Sequence, residues 1–286
     1  MAGVGHHGQM QAPVDQVRIE TQAPIVDAIA RSRRGDQRRF RIVFFLTWLV
    51  LIGIIVGGLV AADKVDVEFL GRWQQFILGG IPVTILVSAS SIAIAIVFAV
   101  LGALGRLSPR PVIYGIASFY VSLVRGTPLI VQILFIYLAL PQIWEGFAGI
   151  PLIALGIFAL AFNYGAYMTE VFRAGIEAIP RGQLEAAAAL GMTNRMTMRR
   201  VILPQAIRIV TPAIGNEFIS MIKDSALVSI IGVQELLWRA QRVGTQNFRA
   251  LEALLIAAVV YWFLTIVFSV LQDRLEKRMA ESDRRL

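Results

Sequence analysis

The chain has 286 residues, of which 57% are hydrophobic and 16% charged, with a net charge of +8. Soluble domains carry about a quarter charged residues, so this composition excludes an ordinary soluble enzyme and points to a polytopic membrane protein. With no cysteine there is no disulfide framework, thiolate nucleophile or Cys-based metal site, and the only histidines, His6 and His7, lie in a glycine-containing tail.

Residues 1–41 read as a cytosolic tail ending in a basic collar of Arg31, Arg33, Arg34, Arg38, Arg39 and Arg41. Such a collar anchors topology and touches anionic membrane lipid, which accounts for the positive charge better than nucleic acid does. The first apolar segment, Ile42 to Ala62, starts too late for a signal peptide and is expected to stay as a span. Asp63, Asp66 and Glu68 follow on the outer side, and Glu68 to Gln75 reads as a short interfacial segment.

Phe76 to Leu104 is the next span, with Ser88, Ser90, Ser91, Gly102 and Gly105 as the small residues of close helix packing. Val112 to Leu140 is interrupted by Arg125-Gly126-Thr127-Pro128. Proline removes a backbone donor and disfavours helix before it, so this is either a kinked span or an inner segment joined to a span at Pro128. Pro141 to Ile150 forms a short outer loop, and Pro151 to Phe172 returns inward.

Glu177 to Asn216 is polar, basic and regularly built, although it lies between apolar segments. Gln183 to Leu190 reads as a short alanine-rich helix, Gly191 as its left-handed cap, and Leu203-Pro204 as the start of the next helix. Arg173, Arg181, Arg195, Arg199, Arg200 and Arg208 place this face in the cytoplasm. Leu184, Ala187, Ala188 and Gly191 repeat at helical spacing and are expected to form one smooth face for a second protein.

Gln205 to Met221 is the following span, Ala226 to Ala250 a mixed outer re-entrant or interfacial segment, and Leu251 to Leu271 the last span before a charged cytosolic tail. The fold class is therefore all-α and polytopic, with about six transmembrane helices and both termini inside. The expected divisions are a tail over 1–41, an extra N-terminal span and outer segment over 42–75, a transmembrane domain over 76–275 and a C-terminal tail over 276–286.

No phosphate-binding loop and no metal-spaced histidine cluster occurs, so nothing reads as catalytic and no cofactor is expected on this chain. The informative residues are polar groups within apolar segments, where they are costly and mark pathways by default. Glu170, Glu217, Lys223 and Asp224 qualify, with Asn163 and Tyr164 beside them. Lys223 with Asp224 or Glu217 offers both signs to a zwitterionic solute. The plainer alternatives stay open: Glu170 pairing with Arg173, Lys223 and Asp224 solvated at a helix end, and Asn163 and Tyr164 bonding a neighbouring helix.

Glu185-Ala186-Ala187, Gly191, then Val201-x-Leu203-Pro204 resembles the EAA signature of ABC importer permeases, with Val201 in place of isoleucine. RGTPLIVQ from Arg125, NYGAYMTEVFRAGI from Asn163 and NEFISMIKDSALVS from Asn216 resemble the polar amino-acid branch of that family, with Ala226 replacing a small hydroxyl residue. The resemblance covers roughly 76–275. It implies a five-helix permease core plus one extra span, and a cytosolic coupling helix. By the same resemblance Gln183, Glu185, Ala186, Ala187, Gly191, Arg199, Leu203 and Pro204 engage separate ATPase subunits. It further implies that Asn163, Tyr164, Glu170, Glu217, Lys223, Asp224 and Ser225 line a substrate pathway. Its expected partners are those ATPases, which use ATP and magnesium, a second permease chain (a copy or a sibling), a periplasmic solute-binding protein and an amino acid. A bacterial inner membrane is the expected location. A stand-alone secondary transporter or channel is the rival reading, and a membrane anchor without transport activity the other.

Overall fold

The computed structural model describes residues 39–40, 42–59, 61 and 65–283. The expected N-terminal tail and its basic collar, Arg39 and Phe40 excepted, lie outside the described residues, as do Asp63 and the last three positions. Among the described residues there are helices and turns and no strand.

The first helix, α1 (Ile42–Leu59), belongs to a unit of its own that ends at Val65. None of its 18 residues is buried. At 1.5 Å per residue it is about 27 Å long, close to the hydrocarbon thickness of a bilayer. Rings four apart support it, with Phe40–Phe44 centroids at 6.4 Å and Phe44–Trp48 at 5.5 Å.

The second unit, Asp66–Leu286, begins with α2 (Val67–Leu78), whose first turn is capped by the Asp66 carboxylate accepting from the Phe69 N–H at 3.0 Å. α3 (Ile81–Arg106) follows after Gly79-Gly80 and carries Pro82 in its first turn. The interfacial segment expected over 68–75 therefore extends to Leu78, and the expected span begins at Ile81 instead of Phe76. Proline supplies the reason, because it cannot donate within a helix interior but fits a first turn.

α4 (Pro111–Arg125) and α5 (Leu129–Ile143) meet at 106°. That resolves the alternatives left by the Arg125–Pro128 interruption: two separate helices meet at a sharp corner. α6 (Leu152–Glu177) starts after Pro151 and descends to the polar loop. There α7 (Arg181–Ala189) is followed by Gly191 at φ 71°, the left-handed cap expected from the sequence. The next helix begins earlier than expected. Thr193 caps Asn194–Thr197, and a π segment, Met198–Ile202, leads directly into α8 (Leu203–Asp224). A second π segment, Phe135–Ala139, lies within α5. Each ends two residues before a proline, Pro204 and Pro141. The wider turn absorbs the missing donor and the ring, so the chain stays helical through both.

A 3-10 segment, Ser225–Ile231, ends at Gly232, and α9 (Leu236–Gln246) and α10 (Ala250–Asp283) complete the chain. By length and composition α1, the run Val67–Arg106, α6 and Ala250–Met279 are candidate spans, and the α4–α5 pair makes a fifth. The sixth expected span forms as α8, but Arg208, Asn216, Glu217, Lys223 and Asp224 leave it too polar to qualify on composition. A helix of that kind suits the wall of a polar path rather than lipid.

The closest packing is between α3 and α6. A Cβ on Gly102 would lie 2.2 Å from Thr169 Oγ1, so only glycine admits that approach. Above this contact, Val87, Ile133, Leu160 and Val228 form one apolar cluster among α3, α5, α6 and the 3-10 segment. Ala95, Ala99, Tyr164, Met168 and Met221 form another among α3, α6 and α8. A third joins α2, α9 and α10 through Phe69, Ile77, Leu236, Val243 and Ala257.

Candidate functional site: a carboxylate-lined pocket at the α4–α5 corner

The corner exposes backbone groups that Pro128 leaves without helical partners. Gln132 answers them: its amide nitrogen donates to the Val124 carbonyl at 2.8 Å, the Thr127 carbonyl at 3.1 Å and Thr127 Oγ1 at 2.8 Å. Its amide oxygen accepts from Asn163 Nδ2 at 3.1 Å, which ties the corner to α6. Away from water such carbonyls are satisfied by protein, and Gln132 supplies the shortest of these bonds beside those that the Thr127 N–H and hydroxyl give to Val124 and Leu123.

Against this corner lies a cavity of about 300 Å³ lined by Thr127, Pro128, Leu129, Asn163, Tyr164, Tyr167, Glu217 and Asp224. Glu217 and Asp224 stand seven residues apart, two turns along one face of α8, about 10 Å of rise. The Tyr164 hydroxyl donates to Asp224 Oδ2 at 2.7 Å. The lining holds two carboxylates and no cation. Arg125 stands behind it, its guanidinium carbon 5.3 Å from the centre of the Tyr167 ring.

Of the pathway residues expected from sequence, the fold brings Asn163, Tyr164, Glu217 and Asp224 together. Lys223 is exposed and outside the lining. Ser225 is fully buried and gives its hydroxyl to the Ile222 carbonyl at 2.8 Å. Glu170 sits about one turn below the cavity-lining Tyr167 in an ion network, 3.3 Å from Arg106 and 2.8 Å from Arg173, while Arg173 also reaches Glu177 at 2.6 Å. This network fastens α3 to α6.

The residues expected to engage an ATPase divide. Gln183, Glu185, Ala186, Gly191, Arg199, Leu203 and Pro204 are exposed, whereas Ala187 is 3% exposed and turned toward its own chain. The smooth face expected to include Ala187 is thus split, because α7 leans on Asn194–Ile202. Leu184 of α7 and Leu190 just after it are exposed large apolar residues, the latter 80% exposed. Beside them Arg195, Met196, Arg199 and Arg200 surround an open cleft.

The sequence reading missed two buried carboxylates. Glu235 is wholly buried, accepts from the Tyr261 hydroxyl and the Trp238 N–H (2.7 Å), and lies 3.5 Å from Thr84 Oγ1. It joins α3, α9 and α10. The available signal was a lone glutamate bracketed by Ile231, Val233, Leu236 and Leu237. Glu252, at the head of α10, pairs with Arg249 at 3.1 Å.

The profile of the family described as binding-protein-dependent transport system inner membrane component matches residues 95–281. The chain belongs to that family. The permease is 38% identical over 209 residues to the arginine transport system permease protein ArtQ of Bacillus subtilis (strain 168), covering 73% of this chain and 94% of that protein. It is 34% identical over 219 residues to the probable amino-acid permease protein YxeN of the same organism, covering 77% and 98%. Among solved structures it resembles an amino acid ABC transporter crystallised with histidines, at 40% identity and a TM-score of 0.70, covering 75% of this chain and 99% of that one. The permease is thus a multi-pass membrane subunit of an ABC importer, with ATP hydrolysed by a separate subunit. Membership in this family sets aside the stand-alone transporter and the anchor without transport activity.

Proposed function

We propose that this permease imports cationic amino acids, and that its substrate enters the cavity bounded by Asn163, Tyr164, Glu217 and Asp224. The observation that carries this reading is the pair of carboxylates in a wall without a cation. A positively charged side chain or α-ammonium gains charge-assisted bonds there, whereas a second anion would meet repulsion. One relative is named for arginine transport, while others at the same identity are named for glutamine, so the substrate class rests on the cavity wall.

In this reading α7 is the coupling helix. Gln183, Glu185, Ala186, Gly191 and Arg199 contact the ATPase, which holds ATP and magnesium, while Leu203 and Pro204 transmit its movement into α8. ATP biases the spans between two states through its differential affinity for them. A second permease chain completes the path, the solute-binding protein docks outside, and both termini face the cytoplasm of a bacterium.

Uptake of radiolabelled arginine by the reconstituted transporter, with lysine and glutamine as competitors, tests the substrate class. Lysine is expected to compete and glutamine to compete poorly. Asp224→Asn is expected to raise the KM for arginine at least tenfold. Equal competition by both solutes, or unchanged kinetics in the variant, refutes the reading.

A further inference from the structure

The turn between α9 and α10 holds the only non-glycine residue with positive φ among the described residues: Phe248, at 56°. It closes α9 by two bonds, from the Phe248 N–H to the Thr245 carbonyl at 3.4 Å and from the Arg249 N–H to the Gly244 carbonyl at 2.8 Å. That pair of bonds defines a helix stop whose left-handed position is ordinarily glycine. The same chain builds the same stop after α7, where Gly191 donates to Ala188 at 2.9 Å and Met192 to Ala187 at 3.0 Å. There it uses glycine, as it does at Gly232 with φ 91°. A bulky residue in this conformation is strained. Phe248 gains nothing from packing in return, since it is 95% exposed.

The base of the turn is tied to its neighbours: Arg249 pairs with Asp66 at 3.3 Å and with Glu252 at 3.1 Å. Around it Thr245, Gln246, Asn247 and Arg249 are exposed and polar. An exposed aromatic within a polar rim is the anatomy of a protein-binding hot spot. Bilayer interfaces favour tryptophan and tyrosine, whose polar tips suit the headgroups; phenylalanine has none.

The position completes the argument. Gln272, far along α10, donates to the Pro212 carbonyl and to Asn216 Oδ1, both at 3.1 Å, so it lies beside the middle of α8, and the Phe268–Phe218 ring contact at 5.1 Å shows that α10, traced back toward its start, runs toward the end of α8 away from the coupling loop. Ala250, where α10 begins, is about 33 Å from Gln272 along the helix axis, more than the hydrocarbon thickness of about 30 Å, and Phe248 lies just before it. It therefore stands at the end of the bundle opposite α7. The family is binding-protein-dependent, so a soluble protein must meet that end.

We propose that Phe248 is an anchor for the solute-binding protein, retained in a strained turn because the partner receives its ring. This rests on the importer reading and on α7 being cytoplasmic. The test uses the complete transporter in nanodiscs, with the ATPase assayed against its binding protein loaded with L-arginine. Phe248→Gly relieves the strain, so its thermal unfolding midpoint is expected to hold or rise and its basal ATPase to stay unchanged. The binding-protein concentration for half-maximal stimulation is expected to rise at least tenfold, and Phe248→Trp to retain the wild-type value. An unchanged half-maximal concentration in Phe248→Gly overturns the proposal while leaving the importer reading intact, whether or not the variant's lipid dependence changes. A loss of stimulation matched by a lower midpoint also overturns it, as a purely structural effect. If the wild-type transporter is not stimulated by the arginine-loaded binding protein at all, the cationic amino-acid reading fails and this inference with it.

Discussion

Tyr164, in the middle of α6, donates a hydrogen bond from its hydroxyl to Asp224, the last residue of α8, over 2.7 Å. This bond joins the two helices that carry the polar wall of the cavity, and it occupies one oxygen of the carboxylate that substrate would use. Tyr164→Phe removes the donor and keeps the ring. Loss of a hydrogen bond to a charged group is worth about 1.5–3 kcal/mol. Part of this is recovered when substrate takes the freed oxygen. The expected result in uptake assays is a changed KM for arginine with the maximal rate affected less than threefold. A collapse of the maximal rate at unchanged KM would show that the bond serves motion between the helices instead.

Gln132 satisfies the corner that shapes the cavity, through three donated contacts and one from Asn163. Gln132→Leu is close in size but leaves the Thr127 carbonyl without its donor and the Val124 carbonyl with only the longer contacts from the Thr127 N–H and Oγ1, each at 3.4 Å. Each buried unsatisfied group costs about 1–3 kcal/mol. The variant is expected to unfold at a lower temperature in detergent and to lose arginine binding, measured by calorimetry on the purified transporter. Wild-type stability would mean that water or lipid headgroups replace the amide.

Glu185 is exposed on α7 and makes no ion pair with another described residue. Glu185→Lys therefore leaves the permease fold intact and reverses a charge on the face proposed to meet the ATPase. The expected outcome is normal membrane insertion with loss of ATPase co-purification and of uptake. Retention of both would remove Glu185 from the docking surface.

Gly102 meets Thr169 where α3 and α6 pack, and an added Cβ would sit 2.2 Å from Oγ1. Overpacking of this kind costs about 1–3 kcal/mol. Gly102→Ala is expected to lower the thermal midpoint, and Thr169→Ala in the same chain to restore most of the loss by removing the atoms in conflict. Failure of the second substitution to rescue the first would place the strain elsewhere.

Local rules made much of the chain legible. Composition announced the membrane, the glycine and proline positions announced the breaks, and the Gly191 cap formed as its neighbours required. The EAA spacing carried the family because a projecting helix has to be built from a contiguous stretch. Asn163, Tyr164, Glu217 and Asp224, which the fold brings to one cavity, also stood out in the sequence, since polar groups in apolar segments are conspicuous. What sequence could not supply was direction. Lys223 and Asp224 are neighbours in the chain, yet about 100° apart around the helix, so one lines the cavity and the other does not. Glu170 looked like a pathway residue until Arg106, brought in by α3, occupied it. Ala187 belonged to a smooth helical face until the segment after it folded back on that face. Gln132, Glu235 and Phe248 acquire meaning only from partners far away in the chain, or from the lack of one. Period and propensity are set by near neighbours, whereas the assignment of a side chain to cavity, core or partner is decided by which distant helix arrives beside it.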